Sequence, residues 1–172
     1  MTTNNFARFR RNIFGAPEPL IYPGAFQAGS TAAVKAGALI ELTADTNSKW
    51  VEMDSDFNGA ANVAIAACEI KSGDRAGYYP IIVPRPGDIF EFALSAAGDP
   101  VLGAALYWSD AETLAESGSN AVAYVADFDH YPAMQGHLAD DASPDQGTTL
   151  RSVSYVGVFI DAAASYYAAL VQ

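Results

Sequence analysis

The sequence predicts an all-β fold: a small β-barrel or β-tulip-like sandwich of antiparallel strands, with an extended N-terminal arm. Apolar runs of strand length follow one another from about residue 33 onward. Turn residues separate them, among them Gly-Asp pairs at 73–74, 87–88 and 98–99, where glycine permits a positive φ and aspartate accepts local hydrogen bonds. Short strands at this spacing are typical of a sandwich or barrel.

Residues 1–28 form the predicted arm. They combine arginines and spaced aromatic residues with Pro17, Pro19 and Pro23, so a long helix cannot pass through them, and they show no clean period of two. Disordered tails are usually poor in aromatics. We therefore expect an arm that becomes ordered when it docks on a partner or a neighbouring subunit. A disordered terminus is the alternative.

The first strands of the body are short. After a Lys-Ala-Gly turn, 38–42 forms an apolar run, and 50–53 follows a polar turn. Residues 61–70 are apolar almost throughout and predict a buried strand.

The later strands form a meander. The run 78–83 ends at Pro84 and Pro86, since proline interrupts strand pairing. Further strands are predicted at 88–94, 101–107, 121–128 and 153–160. Between the last two, residues 127–149 contain five Asp and no Lys or Arg. We interpret them as a long acidic loop of a single β-rich domain that spans 29–172.

The charge of the chain excludes several functions. Nine Lys and Arg oppose twenty Asp and Glu, for a formal net charge of −11. Such a body repels nucleic acid, because binding there depends on neutralising phosphates. No apolar run approaches the ~20 residues that span a bilayer. The first acidic residue is Glu18, so Arg8, Arg10 and Arg11 give the arm the opposite charge from the body.

The sequence patterns that could indicate a catalytic or metal-binding site are weak. His130 and His137 are seven residues apart, which fits neither a zinc-binding helix nor a Cys/His cluster. Residues 54–59 resemble the start of a calcium loop, but Ile65 stands where a bidentate Glu is required. Strand carboxylates facing each other, as in a hydrolase, are a minor alternative. The sequence predicts no enzyme, no cofactor and no metal site.

Adjacent aromatic residues are candidates for contacts with a partner. Tyr78-Tyr79 and Tyr107-Trp108 lie in predicted strands, where neighbouring side chains point to opposite faces. One ring of each pair fills the core. The other either covers the opposite sheet face or anchors an interface, where Tyr and Trp are enriched. Both interpretations stay open.

Several of these segments together resemble the capsid cement, or head decoration, proteins of tailed bacteriophages. The resemblance covers about residues 33–161 and includes no catalytic signature. It rests on a V-x-A-G-x-x-I opening, G-D turns, a G-x-x-x-x-V/I run, an L-Y segment and a closing V-G-V strand. These are Val34–Ile40, Gly73-Asp74, Gly77–Val83, Gly87–Ile89, Leu106-Tyr107 and Val156–Val158.

The resemblance implies a structural protein that is made in the host cytoplasm and sits on the outer capsid surface. Its implied partners are the major capsid protein and other copies of itself, as a homotrimer, with no nucleic acid and no membrane. Aromatic anchors and cationic partners in the arm suit that role. The alternative is a head-fibre or tail-associated module that binds carbohydrate or a receptor. The expected contact residues in the arm are Phe6, Arg8, Phe9, Arg10, Arg11 and Phe14.

Overall fold

Eleven β-strands and no helix make up the regular structure of the described residues, 7–26, 33–42, 49–55, 62–98, 100–126 and 153–160, in this computed structural model. Accordingly, none of those residues belongs to a helix that could cross a membrane. The predicted all-β class is confirmed. The acidic loop at 127–149 lies outside the described residues.

Six strands form one sheet in the order β1-β7-β11-β10-β8-β9. Strand β9 pairs with β8 and also, in parallel, with β7, so five of the six strands form a closed ring of pairings. This parallel pair departs from the predicted antiparallel arrangement. The strands are β1 (Arg8–Asn12), β7 (Asp88–Gly98), β8 (Ala105–Asp110), β9 (Thr113–Ala115), β10 (Ala121–Val125) and β11 (Val153–Ile160).

The other five strands form a small barrel in the order β2-β6-β5-β3-β4. A parallel bridge between Phe26 and Trp50 closes it, and the Trp50 N–H donates to the Ala25 carbonyl at 2.8 Å. The strands are β2 (Leu20–Phe26), β3 (Leu39–Leu42), β4 (Val51–Glu52), β5 (Asn62–Ala66) and β6 (Gly77–Val83).

The two sheets share a core because β3 and β5 are buried on both faces. In β5, Ala64 points into the barrel, whereas Val63 and Ile65 point outward and pack with the strands of the other sheet. In β3, Ile40 and Leu39 divide in the same way. The run 61–70, predicted as one buried strand, forms a strand only over Asn62–Ala66, and this strand belongs to the middle layer of the molecule.

Two of the three Gly-Asp pairs form the predicted turns. Gly73 and Gly87 have φ of 85° and 83°. The third prediction was wrong, because Gly98 is the last residue of the long strand β7, where it pairs with Val153. The predicted meander is wrong, because the successive strands β6 and β7 lie in different sheets and β7 does not pair with β8. Strand β8 also begins later than predicted. Residues 101–104 form a turn instead, in which the Ala104 N–H donates to the Val101 carbonyl at 2.9 Å.

The N-terminal segment corrects one expectation. Residues 8–12 pair with β7, and residues 20–26 pair along their whole length with β6. The segment is extended, as predicted, but these strands belong to the sheets of their own chain and need no partner to be ordered. The predicted domain boundary at residue 28 falls outside the described residues and stays a prediction.

Candidate interaction surface

The arm residues predicted to contact a partner have different surroundings. Phe9 packs into the shared core, edge-on to Phe90 with ring centroids 5.7 Å apart. Phe14, in contrast, is 77% exposed. Phe6 lies outside the described residues, and for Arg8 the structure describes only the backbone, which pairs with Glu91. Phe9 is thus a core residue in this fold, which removes it as a free anchor.

The two remaining arginines, Arg10 and Arg11, also differ in how exposed their side chains are. Arg10 forms a salt bridge with Glu91 of the neighbouring strand, and 44% of its side chain is exposed. A register shift between Phe9 and Arg11 marks a β-bulge at this point. Arg11 is half-buried, and its Nε has no hydrogen-bond partner among the described residues. Arg10 therefore offers the more accessible charge.

A buried polar network holds the arm to the turn between β6 and β7. Asp88 is 1% exposed, and its Oδ1 accepts from Asn12 Nδ2 at 2.7 Å. Its Oδ2 accepts from the Arg85 N–H at 2.9 Å and from Arg85 Nε at 3.1 Å. Arg85 also donates to the Glu18 carbonyl at 2.6 Å. Asp88 and Arg85 together thus join β1, the segment before β2 and the turn.

The turn itself supports the exposed ring of Phe14. The Asp88 N–H donates to the Arg85 carbonyl at 3.0 Å, and Gly87 has φ of 83°, as in a type II turn with proline at its second position. A Cβ on Gly87 would lie 2.6 Å from the Phe14 ring. The ring therefore rests on the glycine backbone while its other face stays open.

The outer face of β2 and β6 is apolar throughout. Three cross-strand pairs form it: Ile21 with Ile82, Pro23 with Pro80, and Ala25 with Tyr78. We call these six residues the β2–β6 face. Tyr78 is 78% exposed and Ile21 is 57% exposed, whereas Ile82 packs against the shared core. The face therefore continues the buried layer of the barrel out to the surface.

Two opposed prolines define the register of this face. Pro23 and Pro80 lie directly opposite each other, and neither has an N–H to donate. They must therefore occupy a non-hydrogen-bonded position of the antiparallel ladder, where facing side chains stand closest. The pairs two residues away on either side take the same kind of position. The prolines thus align all three pairs on one surface.

The predicted aromatic pairs separate as their alternation requires. Tyr79 points into the barrel, edge-on to Phe26 at 5.6 Å, and its hydroxyl donates to the Arg75 carbonyl at 2.8 Å. Its neighbour Tyr78 points out. Trp108 packs against the shared core, and Tyr107 is half-buried. Of these four rings, Tyr78 is the one that a partner can reach freely.

Acidic residues meet where the barrel joins the other sheet. Lys35 forms a salt bridge with Glu112. Burial raises the pKa of the Glu52 carboxyl, and repulsion from Glu112 raises it further, while Lys35 opposes the shift. The hydrogen bond to Glu112 raises the pKa of Lys35. The Glu52 carboxylate is therefore the poorly stabilised charge of this group at neutral pH.

We expect Glu52→Gln to raise the melting temperature at pH 7. Because the folded-state pKa of Glu52 is raised, its stabilising contribution is complete below the unfolded value of 4.5 and is lost as the pH rises through the folded value. Solvent screening limits the gain to about 0.5 kcal/mol, or about 1–2 °C. The difference from wild type should close near pH 4, as measured by thermal melts across pH.

Exposed Glu69→Gln is the control for Glu52→Gln. A gain for Glu52→Gln that stays constant from pH 4 to pH 8 would contradict the assignment.

The structure does not describe the surroundings of most of the residues that were considered as metal ligands. His130, His137 and residues 56–60 lie outside the described residues. Among the residues that the structure does describe, no three His, Cys, Asp or Glu side chains come together as a metal site would require.

Comparison with protein-family models, with curated proteins and with solved structures gives no match for this chain.

Two features of this surface were not predicted. The Asn12–Asp88 contact joins residues 76 positions apart, and nothing in the local sequence indicates it. The β2–β6 face was hidden because the prolines of residues 17–23 were interpreted only as helix breakers. The similar spacing of Pro23 in LIYPGAF and Pro80 in GYYPIIV is the signal that would have found it.

Proposed function

We propose that this chain is a structural cement protein of a tailed-phage head, which binds the outer surface of the shell and stabilises contacts between major capsid subunits. The observation that carries the proposal is a pair of open aromatic rings on a well-anchored backbone. Phe14 and Tyr78 are 77% and 78% exposed. Such rings on a rigid body are suited to bury surface against another protein.

A cement protein also gains from repetition. Each copy needs only a modest contact, because many copies on a symmetric shell act together through effective concentration. We propose a homotrimer as the bound form, with the major capsid protein as the other partner. Arg10, which keeps 44% of its side chain exposed beside its salt-bridge partner Glu91, supplies a cationic contact on a chain with a net charge of −11.

The described residues of the β2–β6 face do not favour the carbohydrate-binding alternative. A sugar site needs polar groups beside an aromatic ring. The side chains that share the β2–β6 face with Tyr78 are those of isoleucine, proline and alanine. We therefore put forward one candidate function.

The test is binding to expanded phage heads that lack this protein. We expect saturable co-sedimentation with a fixed number of copies per capsid subunit, and decorated heads that resist heating better than bare heads. Heads of an unrelated phage are the control. Failure of the wild-type chain to bind the heads of its own phage would overturn the proposal.

A test by deleting residues 1–26 would be unsuitable. That deletion removes β1 and β2, and with them Phe9 and Phe26 from the two cores. Loss of binding would then report unfolding. Point substitutions on the surface are required.

A further inference from the structure

We propose that the β2–β6 face is the surface through which this protein contacts the shell, and that it does so by side-chain packing and not by strand addition. This inference rests on the proposed function. The occupant is an uncharged, apolar patch of a shell subunit. The face itself carries no charged side chain: its six residues are isoleucine, proline, alanine and tyrosine.

Strand addition is disfavoured by the backbone of β2. Apart from the bridge of Phe26 with Trp50, β2 has β6 as its one neighbouring strand among the described residues, and a strand with an open side normally invites another. At the non-hydrogen-bonded positions Ile21, Pro23 and Ala25, the backbone groups point away from β6. Pro23 has no N–H to offer, and the Ala25 carbonyl already accepts from Trp50. An added strand would lose its central donor.

Side-chain packing, by contrast, already occurs at the inner end of this face, within the molecule itself. A single row of paired residues runs across the sheet from Leu39 through Ile65 and Ile82 to Ile21. Leu39 and Ile65 are fully covered by the other sheet of the same chain, whereas Ile21 is 57% exposed. The same apolar surface that packs within the molecule is thus left open at its outer end.

The size of the open part favours a shell subunit over a second copy. The total exposed surface of Ile21, Pro23, Tyr78 and Pro80 is on the order of 400 Å². A stable pairwise interface buries about 800 Å² of total surface on each partner. A small contact becomes effective when many copies sit on one lattice.

The experiment compares head binding by Tyr78→Asp and Ile21→Asp with that of wild type. An aspartate that is buried in an apolar contact loses its hydration and finds no hydrogen-bond or ionic partner, so binding is weakened. We expect the apparent affinity for expanded, undecorated heads to fall about tenfold or more for each variant. The melting temperatures should stay near that of wild type, because both side chains are exposed in the free protein.

The matched control is Val101→Asp, which places the same charge on an apolar residue that is 46% exposed in the connection between β7 and β8 of the other sheet. It should bind within about twofold of wild type. Equal binding by wild type and by folded Tyr78→Asp and Ile21→Asp would overturn the inference and leave the proposed function standing. If the wild-type protein does not bind, both the inference and the proposed function are overturned.

The occupant is tested separately. A benzophenone amino acid at position 78 should cross-link to the major capsid protein on decorated heads. Cross-links only to other copies of this chain, or a solution oligomer that Tyr78→Asp dissociates, would identify a second copy as the occupant and overturn the assignment to the shell.

Discussion

Asp88→Ala is expected to lower the free energy of unfolding by about 3 kcal/mol, since breaking a buried ion pair leaves its other partner uncompensated. The Asp88 side chain is fully buried, and both of its oxygens accept hydrogen bonds, from Asn12 and Arg85. The Arg85 side chain retains 24% exposure, so water offsets part of the loss. This places the effect at the lower end of the range for buried pairs.

The loss should appear as a melting temperature about 10 °C lower, given about 2–4 °C per kcal/mol for a chain of this size. Urea unfolding gives the free energy directly. Glu69→Ala, at an exposed position, is the control and should change stability by less than about 0.5 kcal/mol. A loss below about 1 kcal/mol for Asp88→Ala would mean that the network does not hold the turn and the arm together.

The sequences of β1 and β2 hide the pairing of the arm with the sheets of its own chain. Strand β1 reads RFRRN, and the bulge between Phe9 and Arg11 breaks the alternation by which a strand is recognised. Strand β2 reads LIYPGAF, and it is apolar on both faces because one face lines the barrel while the other is the open β2–β6 face. A period of two appears only when the two faces differ.

Other parts of the fold can be predicted from the sequence, because the local conformational preferences of their residues agree with the tertiary packing. Strand β5 is apolar on both faces and is buried on both faces. Gly73 and Gly87 have the positive φ that their turns require. Strand β11, at 153–160, has the bounds that its sequence predicts.

Only part of the candidate surface can be predicted from the sequence. Alternation within a strand predicts that Tyr78 and Tyr79 point to opposite faces, and they do. Which ring is buried depends on the direction in which the sheet curls. That direction is fixed by the distant bridge of Phe26 with Trp50, which no local pattern encodes.

Trp50→Ala should lower the free energy of unfolding by about 3–5 kcal/mol, the usual cost of deleting a buried tryptophan ring. Trp50 is 2% exposed, inside the barrel at the point where the bridge to Phe26 closes it. A cavity there cannot readily collapse, because the neighbouring Ile81 is fully buried and belongs to β6, which is paired with a strand on each side. Far-UV circular dichroism during urea unfolding measures the loss without depending on tryptophan fluorescence.

Gly24→Ala tests the same contact from the other side. A Cβ at Gly24 would lie 2.8 Å from Trp50 Cδ1 and 2.9 Å from Ile81 Cγ2, so the ring must shift within a packed core. Overpacking of this kind costs about 1–3 kcal/mol. The double variant should be less destabilised than the sum of the single variants, by about 1 kcal/mol or more, because the added methyl group then enters the space that the ring has left.

Gly24→Ala combined with Val101→Ala is the matched control, and its effects should add within about 0.5 kcal/mol, since Val101 is an exposed residue of the other sheet. Additivity in the Gly24–Trp50 pair as well would mean that the ring does not lie on Gly24. Barrel closure would then have to depend on the backbone bridge alone, and the outward position of Tyr78, which follows from the inward packing of Gly24 and Tyr79, would lose its physical basis.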